Sequence, residues 1–240
     1  MRYIFLVFLT AFIFTSCGLV DHDTVRGNGK VATQDRNVES FDEIEMNGGV
    51  MVHLKQDSVQ SVKVEGDENL LEYIEISVTN GKLLVKQREN TSISTKERIT
   101  VYVTAPFIKK FDLSGATKLI AEGQFAVNSQ LDIDLSGASQ IELSAKSPIV
   151  NIQASGASTV TIGGETRTLN IDGDGASKIK AFELLSENTT VDLSGATSAE
   201  VYASVSIKAE ADGASHVKYK GGATDVKQET SGAGSIKKVD

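Results

Sequence analysis

Most of the chain alternates between apolar and polar residues, and its second half shows no helical period. The alternation is clearest around seven near-identical tetrapeptides with Gly-Ala at their centre, whose glycines lie 18 to 22 residues apart. These glycines are Gly115, Gly137, Gly156, Gly175, Gly195, Gly213 and Gly232. Apolar residues recur two and four positions before most of these glycines and four positions after them. This period of two predicts strands with one buried face in every repeat.

A repeat of this length predicts a solenoid. A leucine-rich repeat is excluded because its Leu-x-x-Leu-x-Leu and Asn signature is absent. We therefore predict an all-β fold, a right-handed parallel β-helix with about seven regular coils of 18–22 residues over residues 107–240. The glycines would mark a bend that every coil takes. Only 2 prolines occur in 240 residues, as expected where inner strands must donate ladder hydrogen bonds.

Residues 36–106 carry a looser form of the same pattern and are predicted to continue the β-helix as irregular N-terminal coils of one domain. Gly48-Gly49 indicates an early coil, and Asn80-Gly81 indicates a hairpin. The remaining predicted elements are strands at 61–65 and 99–104 and a short helical turn at 67–73, capped by Asp67.

The N-terminus has the pattern of a lipoprotein signal. Residues 1–16 carry one charge, Arg2, and an apolar run too short to span a bilayer, which predicts a signal peptide. Cys17, the only cysteine, follows Phe14-Thr15-Ser16 as in a bacterial lipobox. We expect Cys17 to be lipidated and to anchor the chain to a membrane of the cell envelope, the outer membrane, with residues 17–35 as a tether. An incidental cysteine after an ordinary signal peptide is the alternative.

The net charge of the chain restricts the classes of partner that we expect it to bind. The formal net charge is −8, which argues against a basic nucleic-acid-binding surface. Six of the seven repeats have an acidic residue three positions before the glycine: Asp112, Asp134, Asp172, Asp192, Glu210 and Glu229. Alternation places this acidic stripe on the outside. It is either a solvated face that prevents non-specific association or a weak, salt-sensitive site for cations or a basic partner.

Residues suited to catalysis are few. His22, His53 and His216 have no metal-ligand partners at zinc-like spacing, so we predict no metal site, cofactor or catalytic residue. A hydroxyl column follows the Gly-Ala pairs in six repeats, and such repetition indicates turn-stabilising residues instead of a nucleophile: Thr117, Ser139, Ser158, Ser177, Thr197 and Ser215. Thr24 and Ser58 lie in Asp-Thr-Val and Asp-Ser-Val segments that resemble an O-glycosylation signal of Bacteroidetes.

The order of these elements resembles one known family. The lipobox, the Gly-Gly strand, the segment Glu65 to Leu71, the Asn-Gly hairpin, the strand ending at Ala105-Pro106 and the Ser-Gly-Ala coils are similar to the head GIN domain family of auto-transporter adhesins from Bacteroidetes-type lipoproteins. The resemblance implies a right-handed β-helix in the cell envelope. It supplies no catalytic residues.

Two functions are compatible with these sequence features. The first is a non-enzymatic envelope module that binds a glycan or a protein. The alternative is a polysaccharide lyase or hydrolase, because right-handed β-helices also carry such enzymes. The acids here are spread one per coil, Arg167 is the only arginine of the repeat region, and the chain has no Trp. We therefore favour the binding module, since a fold alone does not imply a function.

Overall fold

The computed structural model describes residues 23–240. The chain is nearly all β and forms a β-solenoid of about six turns, which confirms the predicted parallel β-helix with about six coils where about seven were expected. The signal peptide, Cys17 and His22 lie outside the described residues.

The described chain contains strands β1 to β21 and one short 3-10 helix, η1. In chain order they are β1 Asp23–Arg26, β2 Val31–Asp35, β3 Glu43–Gly48, β4 Met51–Gln56, β5 Ser61–Asp67, η1 Glu68–Tyr73, β6 Ile74–Thr79, β7 Lys82–Gln87, β8 Thr91–Ser94, β9 Thr100–Ala105, β10 Lys110–Gly115, β11 Lys118–Ala126, β12 Gln130–Leu135, β13 Gln140–Ala154, β14 Thr159–Gly173, β15 Lys178–Ala181, β16 Leu184–Leu193, β17 Ser198–Tyr202, β18 Ser206–Ala211, β19 His216–Lys220, β20 Asp225–Thr230 and β21 Ser235–Lys238.

The coils stack into two parallel ladders. The first ladder runs through β7, β3, β10, β12, the C-terminal halves of β13 and β14, β16, β18 and β20. The second runs through β9, β4, β11, the N-terminal halves of β13 and β14, β15, β17, β19 and β21. Antiparallel strands close the N-terminal end, where β5 pairs with both β9 and β2, and β6 pairs with β7.

The core lies between the two ladders and consists of stacked apolar columns. In the first ladder the register places Phe111 beside Ile133, Ile133 beside Ile152 and Ile152 beside Ile171, and all four side chains are buried. Burial of such columns supplies the main favourable free energy of folding. The last strand of the first ladder, β20, is exposed along its whole length, because no further coil stacks on it.

A glycine turns the chain from the first ladder into the second in each of the seven repeats. The seven repeat glycines have φ between +65° and +81°, a conformation that L side chains rarely adopt. Their backbones also touch: a Cβ on Gly175 would lie 2.7 Å from the carbonyl oxygen of Gly156. The amide of Ala176 donates to that same carbonyl at 2.7 Å. Small size and a positive φ are therefore both required at this corner.

The hydroxyl residues that follow the Gly-Ala pairs are buried beneath this corner. Ser139 Oγ donates to the Ser136 carbonyl at 2.7 Å, and Ser158 Oγ donates to the Ser155 carbonyl at 2.6 Å. Each bond closes the turn three residues back and satisfies a carbonyl that the ladder does not use. Ser177 repeats this bond to the Asp174 carbonyl at 3.0 Å, whereas Thr117 Oγ1 donates to Ser139 Oγ and Thr197 Oγ1 has no hydrogen-bond partner among the described residues.

The N-terminal region begins earlier than the tether prediction implied. The tether assigned to residues 17–35 is wrong from residue 23 onward, because β1 pairs with β8 and β2 pairs with β5. Asp67 also differs from its expected role, since its side chain makes no cap hydrogen bond to the helix it precedes. Its buried carboxylate instead accepts from the Gly29 amide at 2.7 Å and from Thr95 Oγ1, which ties the N-terminal segment to the body.

The corner geometry predicts different costs for two alanine substitutions. Gly123 has φ +75° with no atom within 4 Å of an added Cβ, so Gly123→Ala should cost about 1–2 kcal/mol of strain. Gly175 has φ +71°, and its added Cβ meets the backbone of the preceding coil. Gly175→Ala should therefore cost about 1–3 kcal/mol more than the control. Urea unfolding of both variants measures the difference, and equal costs would show that coil contact is unimportant.

Candidate functional site

The strand register aligns the acidic stripe into one outward column of the first ladder. Asp112 lies beside Asp134, and Gln153 separates Asp134 from Asp172. Asp172, Asp192, Glu210 and Glu229 then follow on consecutive coils. Adjacent strands are about 4.8 Å apart, so this column holds like charges at close range.

The structure adds one member that the sequence reasoning missed. Glu45 lies beside Asp112 and extends the column into the early coil. The available signal was its spacing, because Glu45 stands three positions before Gly48 just as Asp112 stands three positions before Gly115. Gly48 also lies beside Gly115 and shares its positive φ.

Lysines near both ends of the column offset part of this charge. Lys82 Nζ lies 2.8 Å from Glu45, Lys110 Nζ lies 2.7 Å from Asp134, and Lys208 Nζ lies 2.6 Å from Glu210. Between these pairs the neighbouring column is an amide ladder, in which Asn170 donates to Asn151 and Asn151 donates to Asp132, both at 2.8 Å. These lysines and amide groups therefore offset part of the negative charge of the acidic column.

The pKa values of three carboxyl groups in the column are shifted, two upward and one downward. Burial raises the pKa of the Asp112 carboxyl, and the neighbouring charges of Glu45 and Asp134 raise it further, against the opposing effect of Lys110. The hydrogen bond from Lys82 lowers the pKa of the Glu45 carboxyl. Burial and the charges of Glu210 and Asp172 raise the pKa of Asp192. Like-charge repulsion is therefore felt within the column.

The column does not form a metal centre in the described part of the chain. Among residues 23–240 no group of three or more His, Cys, Asp or Glu side chains is arranged to hold a metal ion. Two of the three histidines lie within this range: His53 stacks on Tyr102 with ring centroids 5.6 Å apart, and His216 Nδ1 lies 2.8 Å from Ser235 Oγ. Each histidine has a neighbour that accounts for its position.

A lateral groove of about 740 Å³ lies on the other side of the coils, where the second ladder returns to the first. Its lining residues are Ala126, Val127, Asn128, Lys146, Ser147, Pro148, Glu165, Thr166, Arg167, Leu185, Ser186, Glu187, Tyr202 and Ser204. We call this surface the lateral groove.

Buried hydroxyls shape the bend beneath the groove. Ser147 Oγ donates to the carbonyl of Ile149 at 2.8 Å, and Thr166 Oγ1 donates to the carbonyl of Thr168 at 3.0 Å. Ser147 and Thr166 lie side by side on adjacent coils, so the bend repeats and the groove runs along the solenoid. The first corner therefore depends on glycine, and this second bend depends on hydroxyl-to-carbonyl hydrogen bonds.

The groove offers both apolar contact and charge. Leu185 is 51% exposed, a large fraction for a leucine on a strand. Lys146 and Glu165 form an ion pair at 3.2 Å with both side chains more than half exposed. Arg167 and Glu187 are exposed beside them. The groove therefore combines an exposed apolar side chain with exposed charged groups of both signs.

The groove is not predictable from the sequence pattern alone. Its residues come from adjacent coils and are 18 to 20 positions apart along the chain. They share no motif, and Arg167 was recognisable only as the single arginine of the repeat region. The two candidate glycosylation residues lie elsewhere on the surface, where Thr24 and Ser58 are both exposed.

These observations define a β-solenoid protein with an open lateral groove. The family model described as "Putative auto-transporter adhesin, head GIN domain" matches residues 40–223, and the chain belongs to this family. The resemblance inferred from the sequence motifs is therefore confirmed. No curated protein matches the chain. No helix within residues 23–240 is long and apolar enough to cross a membrane.

Several crystal structures share the fold. A "putative adhesin" from Bacteroides fragilis NCTC 9343 has a TM-score of 0.84 and 21% identity, covering 90% of this chain and 100% of that one. A "putative adhesin" from Parabacteroides merdae ATCC 43184 has a TM-score of 0.71 and 21% identity, covering 91% and 100%. A "putative lipid binding protein" from Parabacteroides distasonis ATCC 8503 has a TM-score of 0.72 and 20% identity, with the same coverage. Identities this low demonstrate a common fold only.

The acidic column predicts opposite effects for two neutralising substitutions. A raised folded-state pKa means that ionised Asp112 destabilises the fold, so Asp112→Asn should raise the free energy of unfolding at pH 7 by about 0.5 kcal/mol. This gain should vanish as the pH falls through the Asp112 pKa, because protonated Asp112 is neutral as well. Glu45→Gln should lower the free energy of unfolding at pH 7 by about 0.5 kcal/mol. Urea titrations across a pH series measure both, and a destabilised Asp112→Asn would contradict the repulsion.

Proposed function

We propose that this chain is a non-enzymatic lipoprotein of the cell envelope that binds a glycan or a protein in the lateral groove. The observation that carries the proposal is the groove itself, about 740 Å³ in volume and lined by residues of adjacent coils. Binding sites of proteins are concave surfaces with apolar walls and a few oriented polar groups. Leu185, Val127 and Pro148 supply apolar surface, and Arg167, Glu187 and Asn128 supply polar groups.

The rigidity of the groove supports this proposal. Most of its residues lie on strands β13, β14 and β16, which pair with neighbouring coils, so little conformational entropy is lost when a ligand binds. The family description names adhesins, and two of the structures that share the fold carry the same word in their names. This agrees with a role in attachment at the cell surface.

An enzyme that degrades polysaccharides is the second candidate. Its support is that Glu165 and Glu187 share the groove with Lys146 and Arg167. Against it, Glu165 is already paired with Lys146, and neither glutamate is buried. A lyase or glycosidase would convert a bound polysaccharide into shorter products, whereas a binding module returns it intact. Release of new chain ends from a bound polysaccharide would overturn the proposal.

Groove binding predicts a selective loss when Leu185 becomes charged. Leu185→Asp places a carboxylate on the exposed apolar surface of the groove. We expect it to lower the affinity for ligands found on glycan and protein arrays at least about tenfold, because the charge must be desolvated when a ligand binds. Val59→Asp is the matched control, because Val59 is 70% exposed and lies outside the groove. The purified protein would be screened first, and the hits measured by titration with both variants. Equal affinity for both variants would exclude the groove.

The envelope location rests on Cys17, which lies outside the described residues. The lipobox predicts that Cys17 carries the lipid. About two or three acyl chains anchor a protein stably in a membrane, whereas a single chain does not. Cys17→Ser should therefore abolish incorporation of radiolabelled palmitate and move the protein from the membrane to the soluble fraction. Ser16→Ala, which retains the cysteine, is the control. Unchanged palmitate labelling of Cys17→Ser would refute the anchor.

A further inference from the structure

The two ladders of the solenoid carry opposite charge on their outer sides. The acidic column belongs to the first ladder. Over the last coils, the outer side of the second ladder instead carries five lysines: Lys178, Lys180, Lys218, Lys220 and Lys237. We call this surface the lysine face. Glu200 is the one acidic residue on the outer side of strands β15, β17, β19 and β21.

The register aligns the lysine face along the solenoid, with Glu200 interrupting the lysines in one coil. Lys180 lies beside Glu200, Glu200 beside Lys218, and Lys218 beside Lys237. Three of four successive coils, about 4.8 Å apart, therefore present a lysine in the same column. Buried Ile179, Val217 and their neighbours hold the strands from within, so the lysines point outward on a fixed frame.

The lysines of the two ladders differ in their partners. On the acidic side, Lys110 and Lys208 each lie within 3 Å of a carboxylate. On the lysine face, Lys218 has a carboxylate partner, Glu200 at 3.5 Å. The other four lysines have no carboxylate within 4.0 Å among residues 23–240. Their positive charge is therefore available to an external anion.

The lysine face adjoins the lateral groove through an aromatic column. Tyr202 lines the groove and lies beside Lys220 in the ladder. Lys220 Nζ in turn lies 4.9 Å above the ring of Phe182. Partly exposed rings beside cations can contact the apolar faces of sugar rings while the cations bind their acidic groups. On the groove side, Arg167 adds a further exposed cation.

Resting on the function proposed above, we propose that the ligand of the lateral groove is an acidic glycan, whose carboxylate or sulfate groups bind the lysine face. A single polysaccharide chain is narrow enough to lie in the groove and continue across Tyr202 onto the lysines. A flat bilayer cannot enter a groove.

The experiment compares two polymers with the same backbone, dextran and dextran sulfate. The purified protein should bind dextran sulfate, and its affinity should fall as the salt concentration rises. Lys180→Glu should weaken this binding about three- to tenfold, and the triple variant of Lys180, Lys218 and Lys237 to Glu should abolish it. Lys227→Glu is the matched control, because Lys227 is exposed on the first ladder and its substitution changes the net charge equally. It should change the affinity less than twofold.

The outcomes separate the ligand class from the proposed function. Equal losses for Lys180→Glu and Lys227→Glu would overturn the inference, since only net charge would matter. Groove-dependent binding of neutral dextran or a protein, lost in Leu185→Asp but unaffected by Lys180→Glu, would also overturn it while leaving the proposed function intact. If duplex DNA or phosphatidylglycerol vesicles bind more tightly than dextran sulfate, the ligand is not an acidic glycan and the inference is overturned. Failure of every glycan and protein probe to bind would overturn both proposals.

Discussion

The contact between successive corner glycines is the constraint on which the rest of the molecule depends. At this point the backbone of one coil touches the backbone of the previous one, and the following alanine amide donates to the glycine carbonyl below it. A side chain would separate the coils locally and break this bond. Because the same contact recurs in every repeat, it sets the register of both ladders, and a shift of one residue would exchange buried and exposed faces.

Once the register is set, outward residues at equivalent positions become neighbours. This stacking brings the acids of the first ladder together at a cost, which burial increases at Asp112 and which Lys82, Lys110 and Lys208 partly offset. The same stacking gathers lysines on the second ladder. A chain of modest net charge thereby acquires two surfaces of opposite sign, and long-range attraction depends on such local surfaces more than on the net charge.

The two bends of each coil have different physical origins and different consequences. The glycine corner is narrow and is closed by backbone contacts. The second bend depends on buried hydroxyls such as Ser147 and Thr166, and it tolerates large outward side chains, including Leu185 and Arg167. The lateral groove lies here. Variation of these outward residues can change the ligand without disturbing the fold, because the inward residues form the core that holds the coils together.

Much of the architecture could be predicted from the sequence because the repeat is local. Period-two alternation, the spacing of the corner glycines and the Asn80-Gly81 hairpin each depend on a few adjacent residues. Asp67 shows the limit: its position suggests a helix cap, yet its carboxylate binds Gly29 and Thr95, which are 38 and 28 residues away. The lateral groove and the lysine face depend on distant residues in the same way. Their composition and shape follow from which coils become neighbours and from how sharply each coil bends. The sequence alone determined the columns, and only the tertiary structure decided which columns meet around a concave surface.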